Sequence, residues 1–321
     1  SAADDGDIDI VYRTSTDGGA TWAARAVATT NSTNVAGNPI IISDQARGVI
    51  HMVFVRQTAG DGTGHGATTR RPWYIAYTVS GGTWGTPVDI SAQAMDTANW
   101  SWFAVGPGSG VVIPSGANAG RIVAGATHSR ASYGSPYYKS HAIYSDDGGV
   151  NWSRSLPIDP LGTNETCITY LEDGTLLMSC RPNADNEGRL FATSADDGAT
   201  WTTAVADTYL PGDPCQAGML RTGGRTLLSY VPDSVRSCLS IVSSTSADTA
   251  NGWDRRSRIV TGPAAAYSAL VRRADGSIGC LYERGAAVGS YTAVSWITFD
   301  AEGLSATVIP VFMNQYRQRR A

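Results

Sequence analysis

Residues 15–22 read Ser-Thr-Asp-Gly-Gly-Ala-Thr-Trp, and the same spacing returns in residues 145–152 (SDDGGVNW) and 194–201 (SADDGATW). The shared pattern is Ser-x-Asp-x-Gly-x-Thr/Asn-Trp. Its aspartate can accept hydrogen bonds from the loop backbone, its glycine permits a positive φ, and its tryptophan can pack the turn onto a sheet. Each copy follows a strand-like run of residues, so the pattern predicts a recurring turn between two strands.

The repeat continues in weaker form along the chain. Residues 246–253 (SADTANGW) keep the serine, the aspartate and the tryptophan but lose the central glycine, and a fifth site keeps only Thr83 and Trp84. The tryptophans stand at positions 22, 84, 152, 201 and 253, with gaps of 62, 68, 49 and 52 residues. A period of about 50 residues with several short strands per unit is typical of propeller blades.

We therefore predict an all-β fold, a six-bladed β-propeller that occupies residues 1–321 as a single domain. The last blade is expected to contain strands at 267–272, 277–283 and 293–299. The first blade should be incomplete, because 21 residues precede Trp22 while 36 residues lead from Glu165 to Trp201 in the fourth blade. Its inner strands are expected to be missing from this chain.

The composition suits a compact, turn-rich β protein. The 321 residues are 42% hydrophobic and 16% charged, with 36 glycines. The net charge is −4, and no basic stripe with interleaved aromatic residues is present, so we do not expect a nucleic-acid partner. No apolar run approaches the roughly 18 residues needed to span a membrane. The five cysteines include no Cys-x-x-Cys pair, so we expect buried thiols, no metal and no cofactor.

Two hairpins are expected to carry the functional side chains. Their three-residue loops, 172–174 and 274–276, both end in Asp-Gly, a loop type that commonly forms a type I turn closed by a glycine bulge. In that register Glu165 lies opposite Arg181, and Tyr267 lies opposite Glu283. Both pairs fall at the strand ends away from the turn, where the inner strands of a propeller converge on a central mouth.

The Ser-x-Asp-x-Gly-x-x-Trp spacing is the Asp box, and the chain resembles the sialidase (neuraminidase) family of Asp-box propellers over nearly its whole length. The stretch from Asn164-Glu165 to Arg181 resembles the family segment with the catalytic glutamate and an arginine of the carboxylate-binding triad. The stretch around Ala266-Tyr267, continuing to residue 285, resembles the segment with the nucleophilic tyrosine.

Two further stretches carry the resemblance. Residues 4–8 (DDGDI) resemble the acid/base loop, with Asp4 at the position of the catalytic aspartate, and Pro232-x-x-x-Arg236 resembles the stretch with another triad arginine. Residues 102–108 (WFAVGPG) are also similar to the family. One departure is the absence of the Tyr-Arg-Ile-Pro-like motif that holds the first triad arginine. That arginine lies outside this sequence, comes from elsewhere in the chain, or is missing from an impaired site.

The resemblance implies an exo-α-sialidase that releases terminal sialic acids from sialylated glycans or glycoconjugates with retention of configuration. Arg181 and Arg236 would bind the substrate carboxylate through paired, charge-assisted hydrogen bonds. Tyr267 would be the nucleophile, because a neutral phenol avoids the repulsion that an anionic nucleophile would meet from that carboxylate, and sialidases are the tyrosine exception among glycosidases. We also expect a monomer that is secreted or extracellular.

Carboxyl groups are assigned to the proton transfers. Glu165 is the base expected for Tyr267, with Glu283 as the alternative because the register puts it across the hairpin. Asp4 would protonate the leaving oxygen and then activate water, and Asp5 or Asp7 would replace it if the loop register differs. Asp5 and Glu283 are otherwise expected to bind the substrate.

Two other interpretations compete with an enzyme. A catalytically impaired, lectin-like propeller that binds sialic acid is favoured by the absent arginine motif and opposed by the presence of Asp4, Glu165 and Tyr267. A propeller for protein recognition would leave the two matching hairpins without a purpose. The glycine-rich residues 60–66 lack the Lys-Ser/Thr ending of a phosphate loop, so we expect a mobile loop near the mouth. Tyr133, Tyr137 and Tyr138, in another loop, either contact the sugar or only pack.

Overall fold

A computed structural model of the chain describes residues 5–134, 137–183, 188–207, 209–210, 214–232, 235–245, 252–262, 264–287, 290–300 and 311–313. Apart from a short helix α1 (Ser91–Ala94) and a 3-10 turn (Ala131–Tyr133), the elements described are strands. In chain order the strands are β1 (Ile10–Tyr12), β2 (Ala26–Thr29), β3 (Val35–Asp44), β4 (Val49–Gln57), β5 (Arg71–Thr78), β6 (Thr83–Trp84), β7 (Val88–Asp89), β8 (Phe103–Val105), β9 (Gly108–Ser109), β10 (Val111–Val112), β11 (Ile122–Ser129), β12 (Tyr138–Ser145), β13 (Ser153–Arg154), β14 (Thr163–Tyr170), β15 (Leu176–Pro182), β16 (Arg189–Ser194), β17 (Val205–Asp207), β18 (Gly218–Thr222), β19 (Arg225–Tyr230), β20 (Cys238–Ser244), β21 (Arg255–Thr261), β22 (Ala264–Arg272), β23 (Ile278–Ala287), β24 (Ser290–Phe299) and β25 (Val311–Met313).

The strands form five blades and one small sheet. Blade A has the order β6-β5-β4-β3-β9 with β7 beside β5, and blade B has the order β10-β11-β12-β13 with β8 beside β11. Blades C, D and E are four-stranded meanders, β14–β17, β18–β21 and β22–β25. The small sheet pairs β1 with β2. The prediction of an all-β propeller is therefore confirmed. The described residues form five blades, so the predicted number of six is not confirmed.

The repeated Ser-x-Asp-x-Gly segments form turns of one construction. In the segment between β12 and β13, the Ser145 hydroxyl accepts from the Gly149 amide at 2.9 Å, and Asp147 accepts from the Asn151 amide at 2.8 Å. The Trp152 indole then donates to the Gly149 carbonyl at 3.0 Å. The turns at residues 15–22 and 194–201 repeat these bonds at 2.7–3.1 Å. Residues 246–251 of the fourth copy lie outside the described residues.

The core lies between neighbouring blades rather than in one block. One buried cluster joins Val53 of blade A to Phe103 and Ile122 of blade B, and another joins Leu177 of blade C to Leu228 of blade D. All five cysteines are buried thiols, as expected.

The inner strands of blades D and E approach each other closely. A Cβ on Gly218 of β18 would lie 2.8 Å from the carbonyl oxygen of Ser268 in β22, so only a glycine fits at this position without a shift of the backbone. No helix among the described residues has the length and apolar character to cross a membrane.

Candidate active site

The two predicted hairpins form with the predicted loops. The Leu171 amide donates to the Thr175 carbonyl at 2.7 Å, and the Arg273 amide donates to the Ser277 carbonyl at 2.8 Å. The glycines that close the loops, at 174 and 276, have φ of 88° and 86°, the left-handed conformation that this turn requires. Pairing then follows the expected register from the loop as far as Thr166 opposite Cys180 and Ser268 opposite Tyr282.

Beyond those pairs, both inner strands differ from the simple register by a β-bulge. Thr163 pairs with Pro182, so Asn164 and Glu165 together face Arg181. Ala265 pairs with Arg284, so residues 266 and 267 together face Glu283. A bulge inserts one extra residue and re-aims side chains. The bulged positions are the ones at which the sequence predicts the base and the nucleophile.

The bulges bring Glu165, Arg181 and Tyr267 into direct contact. The Tyr267 hydroxyl donates to Glu165 Oε1 at 2.5 Å. Arg181 Nη1 donates to Glu165 Oε2 at 2.7 Å and to the Tyr267 hydroxyl at 3.1 Å. Glu165 is 6% exposed, and the Arg181 side chain is 20% exposed. The three side chains thus form a closed ring of charge-assisted hydrogen bonds between the hairpin of blade C and the first strand of blade E, on either side of blade D.

The surroundings keep Tyr267 as a neutral phenol. Burial raises its pKa well above the usual value, the negative charge of Glu165 adds to that rise, and Arg181 only partly opposes it. For Arg181, burial lowers the pKa, but the negative charge of Glu165 and the hydrogen bond to it outweigh burial, so the net pKa is raised. The cluster therefore holds a fixed cation, and the tyrosine needs an adjacent base before it can attack as an oxyanion.

Arg236 lies near the ring of Tyr267. Its Cζ is 5.9 Å from the centroid of the tyrosine ring. Arg236 Nη2 donates to the Pro214 carbonyl at 2.5 Å, and the Arg236 carbonyl accepts from the Ala265 amide at 2.8 Å. Its φ is 51°, a costly conformation for an arginine that persists only where neighbouring contacts determine it. Two guanidinium groups thus lie close to one phenol.

The other predicted site residues differ in their placement. Asp4 lies outside the described residues. Asp5 accepts from the amides of Gly60 at 2.8 Å and Gly62 at 3.2 Å, so it contacts the glycine-rich loop, while Asp7 is exposed. Glu283 lies in β23 across from the Tyr267 bulge, but the Tyr267 hydroxyl donates to Glu165.

The glycine-rich loop, residues 60–66, is held from both sides. Asp5 binds one end, and the Tyr138 hydroxyl accepts from the His65 amide at 3.0 Å at the other. The Tyr137 ring stacks on the His65 ring, with centroids 3.9 Å apart. The loop therefore connects the segment that follows Asp4 to blade B.

Sequence reasoning missed a buried group beside Tyr267. The carboxamide of Gln216 bonds to both main-chain polar groups of Ser268, the residue after Tyr267, at 2.9 and 3.0 Å. Gln216 precedes β18 by two residues, and it is 2% exposed. A glutamine in a loop-like stretch carries no local signal of such a contact, because its partner is 52 positions away.

Comparison with known proteins now defines the class, which is the sialidase-family β-propeller. A sialidase of Micromonospora viridifaciens is 26% identical over 94% of this chain and 48% of its own length. A sialidase of Bacteroides fragilis is 25% identical over 89% of this chain and 56% of its own length. The chain thus spans about half the length of these curated relatives.

A solved structure supports the same class at the level of the fold. A Hadza microbial sialidase superposes with a TM-score of 0.76 over 92% of this chain and 60% of that chain, at 22% identity. The chain belongs to the family of the BNR repeat-like domain, which matches residues 1–280.

Proposed function

We propose that this chain is an exo-α-sialidase that hydrolyses terminal sialic acids from glycoconjugates with retention of configuration. The observation that carries the proposal is the contact between the Tyr267 hydroxyl and Glu165 at 2.5 Å, with Arg181 bonded to both groups. A buried phenol that donates to a carboxylate suits a nucleophile that must lose its proton to an adjacent base. The names of the curated relatives point the same way.

The two arginines suit a substrate that carries its own carboxylate. Arg181 and Arg236 lie close to Tyr267, and each guanidinium group can bind a carboxylate oxygen with a charge-assisted hydrogen bond. A carboxylate held there lies next to the phenol oxygen, which is neutral in the resting protein.

The reaction is then two displacements. In the first, the Tyr267 oxygen bonds to the anomeric carbon as the bond to the leaving oxygen breaks. The phenol proton passes to Glu165, and Asp4 gives its proton to the leaving oxygen. In the second, Asp4 takes a proton from water, and the water oxygen bonds to the anomeric carbon. The tyrosine leaves and recovers its proton from Glu165.

The first residues of the chain are assigned to the acid/base side of the mouth. Asp5 holds the glycine-rich loop through Gly60 and Gly62, so the first of the described residues is anchored next to blade A. We assign the acid/base role to Asp4 and expect Asp5 to act through this anchorage. Secretion, a monomeric state and the use of sialylated glycans as partners stay predictions.

We further infer that the small sheet is the outer half of a sixth blade. Its two strands are joined by the turn at residues 15–22, which makes the same hydrogen bonds as the Asp-box turns between the third and fourth strands of blades B and C. Gly19 packs against Trp296 of blade E, so this sheet follows blade E around the ring. Residues 1–321 would then belong to one propeller domain.

The test is turnover of a fluorogenic α-sialoside by the purified chain, followed by NMR of the first sugar anomer released. Hydrolysis with the α-anomer of sialic acid formed first supports the proposal. Binding of an unsaturated sialic acid analogue without any turnover would instead support the lectin-like alternative. Absence of both would reject a sialic-acid site altogether.

A further inference from the structure

The bulge in β22 leaves the nucleophile position weakly held from one side. Ser268 pairs with Tyr282 and Ala265 with Arg284, but the ladder shifts between them, at residues 266–267. A bulge leaves its extra residue unpaired and disrupts the ladder locally. Because β22 is the end strand of its sheet, its other edge has to be satisfied from outside blade E.

Gln216 satisfies that edge at Ser268. Its Oε1 accepts from the Ser268 amide at 2.9 Å, and its Nε2 donates to the Ser268 carbonyl at 3.0 Å. The side chain thus pairs with the amide and the carbonyl of Ser268 as the backbone of a neighbouring strand would. We propose that Gln216 is a positioning residue for Tyr267, an inference that rests on the proposed function of Tyr267 as the nucleophile.

The carboxamide itself is fixed in its orientation. Nε2 also lies within hydrogen-bond distance of the carbonyls of Pro107, at 2.9 Å, and Ala217, at 2.7 Å. A carboxamide nitrogen has two protons to donate, and here it is surrounded by carbonyl oxygens. Gln216 is 2% exposed, so no bulk water can replace these partners. The reverse orientation would bring its oxygen against three carbonyl oxygens, which leaves one arrangement available.

The residues before Gln216 reach the rest of the site. The Pro214 carbonyl accepts from Arg236, and the Cys215 carbonyl accepts from Arg189 Nη1 at 2.9 Å. Arg189 Nε in turn donates to Ser179, two residues before Arg181, at 2.6 Å. Residues 214–216 therefore contact Arg236 and the segment of Tyr267 directly, and the strand of Arg181 through Arg189. Gln216 is the residue that contacts the segment of Tyr267.

The experiment compares Gln216→Met and Gln216→Glu with wild type. Gln216→Met keeps the length of the side chain and removes its hydrogen bonds. We expect kcat to fall by about 10- to 10²-fold, since a displacement of about 1 Å in a reacting group costs up to that much. Affinity for 2-deoxy-2,3-didehydro-N-acetylneuraminic acid should change by less than about threefold, because this ligand needs no attack by Tyr267.

Gln216→Glu adds the pH dependence of kcat, which a merely structural role of Gln216 would leave unchanged. The introduced carboxylate can still accept from the Ser268 amide but has no proton to donate to the carbonyls of Ser268 and Pro107. Protonation restores one donor, so kcat of this variant should recover relative to wild type as the pH falls. Gln93→Met is the matched control. It removes a carboxamide bond to the Trp152 amide, 2.8 Å long, in the turn after β12, and should leave kcat unchanged.

Hydrogen exchange tests the inference without turnover. The Ser268 amide should exchange faster in Gln216→Met than in wild type, in a peptide that spans residues 264–272. A wild-type kcat, or an unchanged exchange rate in that peptide, would overturn the positioning role. Equal losses of kcat and inhibitor affinity would also overturn it in favour of a general structural role. An inactive wild-type chain would refute the proposed function, while the exchange measurement would still decide the role of Gln216.

Discussion

Replacement of Tyr267 by phenylalanine tests the proposed chemistry at a single atom. The change removes a hydroxyl that donates to Glu165 at 2.5 Å and accepts from Arg181 at 3.1 Å, and it leaves the ring in place. Glu165 and Arg181 keep their own ion pair at 2.7 Å. Neither charge is therefore left without a partner, and the fold should survive the substitution.

The cost to stability follows from the bonds that are lost. Hydrogen bonds to charged groups contribute about 1.5–3 kcal/mol each, and the surviving ion pair places this case at the low end. For 321 residues, an unfolding entropy of about 2.1 cal/mol/K per residue gives about 0.7 kcal/mol/K, so about 1.5 kcal/mol lowers Tm by about 2 °C. Turnover should fall far more, by about 10²-fold or more in kcat, which corresponds to about 2.7 kcal/mol in the activation barrier.

The assay combines three measurements on Tyr267→Phe. They are kcat with a fluorogenic α-sialoside, affinity for an unsaturated sialic acid analogue, and the intact mass after reaction with a 3-fluoro sialosyl fluoride. We expect the adduct to disappear while most of the binding remains. Tyr230→Phe is the control, because this buried tyrosine hydroxyl in β19 has no hydrogen-bond partner among the described residues. A near-wild-type kcat for Tyr267→Phe, or an adduct on another residue, would refute the reasoning.

Three further predictions concern the surroundings of the site. Glu165→Gln should lower kcat by about 10²-fold or more and should lower the pKa of Tyr267, because a negative charge that raises it is removed; an unchanged phenolate titration by ultraviolet absorbance would contradict this. Burial lowers the pKa of His141 to about 3 and that of His128 well below its usual value, so stability present above about pH 6.5 should be lost on acidification by about 1.4 kcal/mol per pH unit for each histidine. His141→Phe should flatten the fall of Tm between pH 6 and pH 4, and an unchanged slope would argue against these assignments. Asp5→Ala removes the acceptor for two amides of the glycine-rich loop, so hydrogen exchange of residues 58–70 should speed up, whereas wild-type protection would show that the loop is held by other contacts.

Local sequence signals were sufficient for the turns and the hairpin loops. The Ser-x-Asp-x-Gly turns close their hydrogen bonds within eight residues, and the Asp-Gly loops fix the register for the residues next to them. The start of one strand was predicted too late in the chain because the local pattern of side chains is broken there. β22 begins at Ala264 rather than at 267, because the strand continues past a bulge that interrupts the alternation of side chains.

The long-range contacts of the site could not be predicted from local sequence patterns. Each bulge determines the face of the strand toward which its side chain points, and this decides whether Glu165 or Glu283 lies next to Tyr267. No residue type in either stretch predicts a bulge. The contacts of Gln216 and Arg189 join segments that lie far apart in the chain. They depend on how blades C, D and E meet, which local propensity does not determine.

The bulges also bear on how such a protein changes over evolutionary time. In an uninterrupted strand, side chains alternate strictly between the two faces, so the facing of every residue is tied to that of its neighbours. The extra residue at 164–165 and at 266–267 interrupts this alternation. The direction of the side chains on one side of the bulge is therefore no longer tied to the direction of those on the other side. Residues such as Ile168 and Leu270 can then stay locked in the packing between blades while the two positions at the mouth vary independently. A lineage could exchange the side chains at these two positions without repacking a single blade.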